Sequence, residues 1–206
     1  MIRLNRLPPV TLVIGLPRTG KTTCAAALVR QARRKKMPVF SNVPLLGSYI
    51  IDMHEDLGSY NIPENSLVIC DEACLEFDNR DFDRTFKGPK GKALLQWLKL
   101  IGHYRCKLVI FSQGLDFDLR FRSMAGLIFL CRRSLIPGFS VFHRVVRTID
   151  VDDEGKTLCD RLTLPTPFFR LFSARLFRPL YYKYFDSYDA PKLPDKEWKM
   201  WESVNA

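Results

Sequence analysis

The sequence predicts an α/β sandwich, a mostly parallel sheet with helices on both faces. Three observations predict it. Apolar runs at Val10–Ile14, Leu67–Cys70 and Lys107–Phe111 are continuous rather than alternating, as in strands covered on both sides. Segments of helical periodicity alternate with them, and strand–helix repeats build parallel sheets. Between the first strand and the first helix, Gly15 to Thr22 spell G-x-x-x-x-G-K-[ST].

The first strand therefore opens into a phosphate-binding loop, Gly15, Leu16, Pro17, Arg18, Thr19, Gly20, Lys21, Thr22 and Thr23. Gly15 and Gly20 let the backbone curl until successive N–H groups face one anion. The helix N-terminus behind them adds partial positive charge. Lys21 is expected to reach the β- and γ-phosphates, and the Thr22 hydroxyl to hold Mg²⁺. Nucleoside triphosphate binding is the expectation. No guanine-reading N-K-x-D follows, so ATP is the default.

Thr22–Lys36 reads as the first helix, with Ala25, Leu28, Val29 and Ala32 inward and Arg33–Lys36 closing it. Cations there suit the macrodipole. Pro38 stops it, Val39–Val43 is a short strand, and residues 44–66 are loop-rich around Pro44, Gly47, Gly58 and Pro63. Leu67–Cys70 then ends in Asp71-Glu72. Acids at the carboxyl edge of a buried parallel strand stand where open sheets bind ligands. Residues 73–89 look irregular. Lys90–Tyr104 is helical through Leu94, Leu95, Leu98 and Ile101, with His103 near its end. Lys107–Phe111 ends at Ser112-Gln113, Asp116–Met124 reads as a short helix, and Leu127–Cys131 is a fifth strand. Val141–Val151 and Lys156–Leu164 flank a turn with Gly155, a hairpin. Residues 1–164 are expected to form the nucleotide-binding domain. Residues 165–206, rich in Pro, Phe, Tyr and Arg, form a basic aromatic tail.

The acids supply what hydrolysis needs beyond binding. Asp71 is expected to hold Mg²⁺ with Thr22. Glu72 is the expected general base for the attacking water. Gln113 is the expected contact to γ-phosphate or water, with Ser112 the competitor. Transition-state charge also calls for an arginine, and Arg80, Arg84, Arg120 and Arg122 are candidates. His103 reads more simply as a packed or capping histidine.

With 206 residues and 47% hydrophobic content, the chain can bury a core. Its 26% charged residues exclude a disordered polymer. The net charge of +10 suits an anionic partner, single-stranded DNA or an anionic membrane surface. Six cysteines without C-x-x-C spacing point to a reducing compartment. No signal peptide is expected, and no run reaches the roughly 20 apolar residues that span a bilayer.

A phosphate-loop strand, a strand without acids, an Asp-Glu strand and a polar-ended strand resemble the additional-strand, catalytic-glutamate class of P-loop ATPases. That likeness implies the sheet order 5-1-4-3-2. VTLVIGLPRTGKTT, LVICDEACLEFDNR and IGHYRCKLVIFSQGLDFDLRFR further resemble the zonula occludens toxin family, which includes the filamentous-phage assembly ATPase. The resemblance covers residues 8–132 and is most specific in His103-Tyr104-Arg105, Ser112-Gln113, Asp116, Asp118 and Arg122. It implies a Mg²⁺-dependent ATPase at the cytoplasmic face of a bacterial inner membrane. It also implies a homo-oligomer, a ring among its arrangements, working with phage or membrane assembly proteins. The family carries a transmembrane segment after the ATPase domain. This sequence departs there, so the expectation is either a domain from a longer chain or membrane contact through the Phe168–Arg178 stretch or a partner. Two other readings stay open: a DNA packaging or translocation ATPase, and a nucleotide-gated scaffold with little turnover. Glu72 argues against the scaffold, which needs no base.

Overall fold

The computed structural model describes residues 1–57, 61–72, 89–114, 123–151, 157–164 and 173–185. Strand β1 (Val10–Ile14) leads through the loop to α1 (Lys21–Arg34). Next come β2 (Val39–Ser41), β3 (Tyr49–Ile50), the one-turn α2 (Met53–Asp56) and β4 (Leu67–Cys70). Helix α3 (Pro89–Leu100) precedes β5 (Lys107–Ser112) and β6 (Leu127–Arg133). The long β7 (Phe139–Val151), β8 (Thr157–Thr163) and β9 (Ala174–Phe177) follow, and Arg178–Tyr184 form a 3₁₀ helix.

One sheet holds them in the order β3-β2-β4-β5-β1-β6-β7-β8, with β9 on β7. The five strands anticipated for the sheet take the order 5-1-4-3-2, here β6-β1-β5-β4-β2, with every contact parallel. From β7 onward the pairing is antiparallel. The first part of β7 is held between β6 and β9, and its second part carries the β8 hairpin.

Alternation along the strands builds two cores. Leu12, Val68, Leu108 and Ile110 face Leu94, Trp97, Leu98 and Ile101 of α3 and its following turn. Val13, Ile69, Val109 and Phe111 face Ala25, Leu28, Val29 and Ala32 of α1. With each strand face covered, the sequence loses its alternation, which is why these strands read as solid apolar runs. Cys24, Cys106 and Cys131 are buried thiols within this packing.

Several boundaries differ from expectation. Helix α1 ends at Arg34, two residues early. Lys36 adopts φ 56°, while its N–H bonds Arg33 O and that of Met37 bonds Ala32 O, a left-handed closure that satisfies the last carbonyls. Strand β2 stops at Ser41, which frees Asn42 for the site. The loop-rich 44–66 contains β3 and α2, both too short to leave a periodic signal; β3 exists through its parallel pairing with β2. The expected helix over 116–124 lies almost wholly outside the described residues. Within the stretch read as a tail, residues 173–185 dock on the sheet and α1, with Leu176 and Tyr181 buried in the α1-side core. Among the described residues, no helix is long and apolar enough to cross a membrane.

Candidate functional site

The phosphate loop is mounted from below by strands on both sides of β1. Gly15 N–H donates to Ser112 O of β5 at 3.0 Å. A side chain at Gly15 would fall 2.7 Å from Cys131 O of β6, so that position tolerates only hydrogen. Higher up, Thr19 O accepts from Ser140 Oγ at 2.5 Å and from Cys131 Sγ at 3.4 Å. Burial pushes the Cys131 thiol up to about 11. Thr19 Oγ1 ties back to Leu16 O at 2.7 Å. Arg18 takes φ 59° and Gly20 φ 105°, and a Cβ at Gly20 would collide with Ser140 Oγ. These contacts fix the curl of the loop.

Lys21 and Thr22 open α1 at the crown of this loop. Lys21 is buried, and its ammonium donates to Gly15 O at 2.8 Å and Leu16 O at 3.3 Å. It rests on its own loop, within reach of any anion held there. Thr23 is buried, and Leu16 and Pro17 form the exposed lip.

Thr22 Oγ1 donates to Asp71 Oδ2 at 2.9 Å, joining α1 to the end of β4. Asn42, just past β2, accepts from Asp71 N–H at 2.8 Å and donates to Asp71 O at 2.9 Å. This pair of bonds holds the acid's backbone as a neighbouring strand would. Asp71 is 3% exposed. Burial raises its carboxyl above the ordinary value, and the Glu72 charge adds to this; Thr22, the Glu72 N–H and Lys21 pull it back. A buried carboxylate beside a hydroxyl fits one divalent cation sharing its shell with phosphate and water. Among the described residues no group of three or more His, Cys, Asp or Glu could hold a metal without such help. Glu72 sits at φ 52°, and Gln113 Nε2 donates to its Oε2 at 2.9 Å. Thr22, Asp71, Glu72 and Gln113 thus converge.

Ser112, the competitor, turns inward. It is fully buried, and its hydroxyl donates to Gly114 O at 2.9 Å. His103 stands at the opposite end of the strands, lining a separate cavity of about 480 Å³ with Pro8, Pro9 and Gly126. Arg80, Arg84, Arg120 and Arg122 lie outside the described residues. Four residues that sequence reasoning missed also border the loop. Arg133 Nε donates to Arg18 O at 3.1 Å, and Arg178 Nη1 stands 3.5 Å from the same oxygen. Tyr182 and Phe185 join them along a cleft of about 820 Å³ that runs past Lys21, Thr22 and Asp71. No motif announces these, because they reach the loop through strand pairing.

The sheet order and the mounted loop define a P-loop nucleoside triphosphatase fold. No protein-family model matches the chain, and no curated protein matches it in sequence. Its structure is similar to the N-terminal domain of zonular occludens toxin from Neisseria meningitidis. The two share 17% identity over 87% of this chain and all of that one, at a TM-score of 0.56. More distant likenesses include the genome packaging NTPase B204 of Sulfolobus turreted icosahedral virus 2 bound to AMP. That pair shows 13% identity over 78% and 98% of the two chains, with a TM-score of 0.47. Another is the flagellar accessory protein FlaH of Methanocaldococcus jannaschii, with 11% identity over 76% and 89% and a TM-score of 0.46. At 17% identity the likeness to the Neisseria meningitidis domain speaks for the fold alone.

Proposed function

We propose that the chain is a Mg²⁺-dependent ATPase and a motor for filamentous phage assembly and extrusion. The observation that carries hydrolysis is the adjacency of two hydrogen-bonded pairs, Thr22–Asp71 and Glu72–Gln113, both 2.9 Å apart. A binding module needs the first; only a hydrolase needs the second.

Thr22 and Asp71 would hold a magnesium ion, which would neutralise charge on the phosphate oxygens. Lys21 leaves the Gly15 and Leu16 carbonyls for the phosphates, exchanging two neutral acceptors for anionic ones. Glu72 takes the proton from water as the water oxygen attacks γ-phosphorus and the bond to the bridging oxygen breaks. Gln113 orients the Glu72 carboxylate. The products are ADP and phosphate.

The assembly role rests on the motif resemblance over residues 8–132 together with the shared fold. It carries with it a homo-oligomer at the cytoplasmic face of the inner membrane, with Arg80, Arg120 or Arg122 acting across subunits. The net charge of +10 favours a second reading, a DNA packaging or translocation ATPase. Steady-state hydrolysis of ATP and GTP with Mg²⁺ separates the readings, using wild type and Lys21→Ala with and without single-stranded DNA. Turnover lost in the variant and indifferent to DNA supports the assembly motor. Strong stimulation by DNA supports packaging. Absence of turnover in a preparation that binds ATP leaves the scaffold.

A further inference from the structure

The cleft beside the phosphate loop is lined by two chemically different sets of residues. Lys21, Thr22, Asp71, Glu72, Arg133 and Arg178 are charged or polar. Val43, Pro44, Tyr182 and Phe185 offer apolar or aromatic surface. A nucleotide is divided in the same way, into a charged polyphosphate and a flat base with an apolar face.

We propose that the 3₁₀ helix Arg178–Tyr184, with Phe185 just past its end, is the wall that completes the nucleotide site, with Tyr182 and Phe185 receiving the base and Arg178 the phosphates. The inference rests on the nucleotide-binding reading above and assigns the residues that finish that site. Tyr182 and Phe185 meet edge to face, with ring centroids 6.5 Å apart and an interplanar angle of 79°. That arrangement leaves ring surface open towards the cleft, and Tyr182 is 49% exposed. Its neighbour Tyr181 is 6% exposed, with its ring under Arg30 of α1 at 5.9 Å and its hydroxyl on Met1 Sδ. One tyrosine anchors the segment and the next is presented to the cleft.

The wall is stiffly mounted. Arg178 N–H donates to Gly138 O at 2.8 Å, and Leu46 N–H donates to Tyr184 O at 2.8 Å. The second bond ties the wall to the loop that bears Val43 and Pro44, so both apolar faces of the slot are fixed to each other. Rings held this way lose little entropy on stacking. Arg178 carries a separate sign of an anion. Its Nε–H is buried without a hydrogen-bond partner among the described residues, while its stem packs where a side chain on Gly20 would stand. A phosphate oxygen at the loop would meet that unmet donor.

Calorimetric titration of the full chain with Mg·ATP and with Mg·tripolyphosphate tests this, since the second probe lacks base and sugar. Base stacking lost by truncation to alanine is worth about tenfold in affinity. Tyr182→Ala and Phe185→Ala are each expected to weaken ATP by that factor and to leave tripolyphosphate unchanged, with Tyr182→Phe restoring ATP. Arg178→Ala is expected to weaken both probes. Alanine variants that bind ATP as wild type does, or that lose both probes equally, overturn the base wall. An Arg178→Ala variant that binds both probes normally overturns the phosphate contact. A wild type that binds neither probe overturns the nucleotide reading itself and the wall with it.

Discussion

Thr22 Oγ1 and Asp71 Oδ2 lie 2.9 Å apart, and this single bond links the first turn of α1 to the end of β4. The hydroxyl arrives from the loop and the carboxyl from a strand in the sheet, so the pair is set by the fold and not by local sequence. Asp71 is buried, and its carboxyl titrates above the ordinary 3.8. For an acid raised in the folded state, ionisation costs stability. The cost is absent below the unfolded value and grows as pH rises through the folded one. Asp71→Asn is therefore expected to melt higher than wild type near neutral pH without ligand, the gain shrinking towards pH 4. Mg²⁺-dependent turnover is expected to be lost. Calorimetric melting between those pH values, with and without Mg·ATP, checks both parts.

Glu72→Gln keeps the side chain's length and leaves an acceptor for the Gln113 amide. The expected result is ATP affinity near wild type with turnover lower by about 10²–10⁴-fold, the usual contribution of a general base. Equilibrium binding and steady-state rates on one preparation decide it. A variant with unimpaired turnover removes Glu72 from the chemistry.

Asn42 makes two hydrogen bonds to the Asp71 backbone, at 2.8 and 2.9 Å. Asn42→Ala leaves both backbone groups without that partner and is expected to cost about 1–3 kcal/mol of stability. As a positioning residue it should lower kcat more than it weakens ATP binding. Denaturant unfolding combined with a kcat-against-Kd comparison tests this.

Cys131 lies beneath the loop with its thiol pushed up to about 11. Iodoacetamide at pH 8 is expected to leave Cys131 unmodified in the folded protein and to label it fully in guanidinium. Peptide mapping after timed alkylation measures it.

Thr11 is fully buried in β1, and its hydroxyl has no hydrogen-bond partner among the described residues. Thr11→Val replaces the hydroxyl with a methyl of similar size and is expected to stabilise the protein by about 1 kcal/mol. A higher melting temperature with unchanged turnover is the outcome to look for.

The parallel half of the molecule was legible because its signals are local. Buried strands leave solid apolar runs, and the Gly15–Thr22 spacing leaves a motif whose strand and helix neighbours can be checked in the sequence. Asp71 and Glu72 were legible for the same reason, as acids closing an apolar run. Asn42, Arg133 and Arg178 were not. Each reaches the site through pairing between segments far apart in the chain, and a lone Asn or Arg looks like any surface residue. Strand β9 left no trace because four residues, ARLF, carry too little alternation to distinguish a strand from a loop. The two-residue β3 is shorter still. The wall of the cleft was hidden with β9, since Arg178–Phe185 reach the loop only after β9 has joined β7.

Strand β1 is synthesised before the other described strands of its sheet, yet its hydrogen-bonding neighbours on either side are β5 and β6, made about a hundred residues later. A nascent chain emerging from the ribosome carries the whole glycine-lysine motif long before anything can hold it in shape. Gly15 has no Ser112 carbonyl to bond and no Cys131 to rest against until the sheet closes around it. Acquisition of nucleotide affinity during translation would therefore come late and report assembly of the sheet, and chaperone dependence would centre on the interval when β1 waits unpaired.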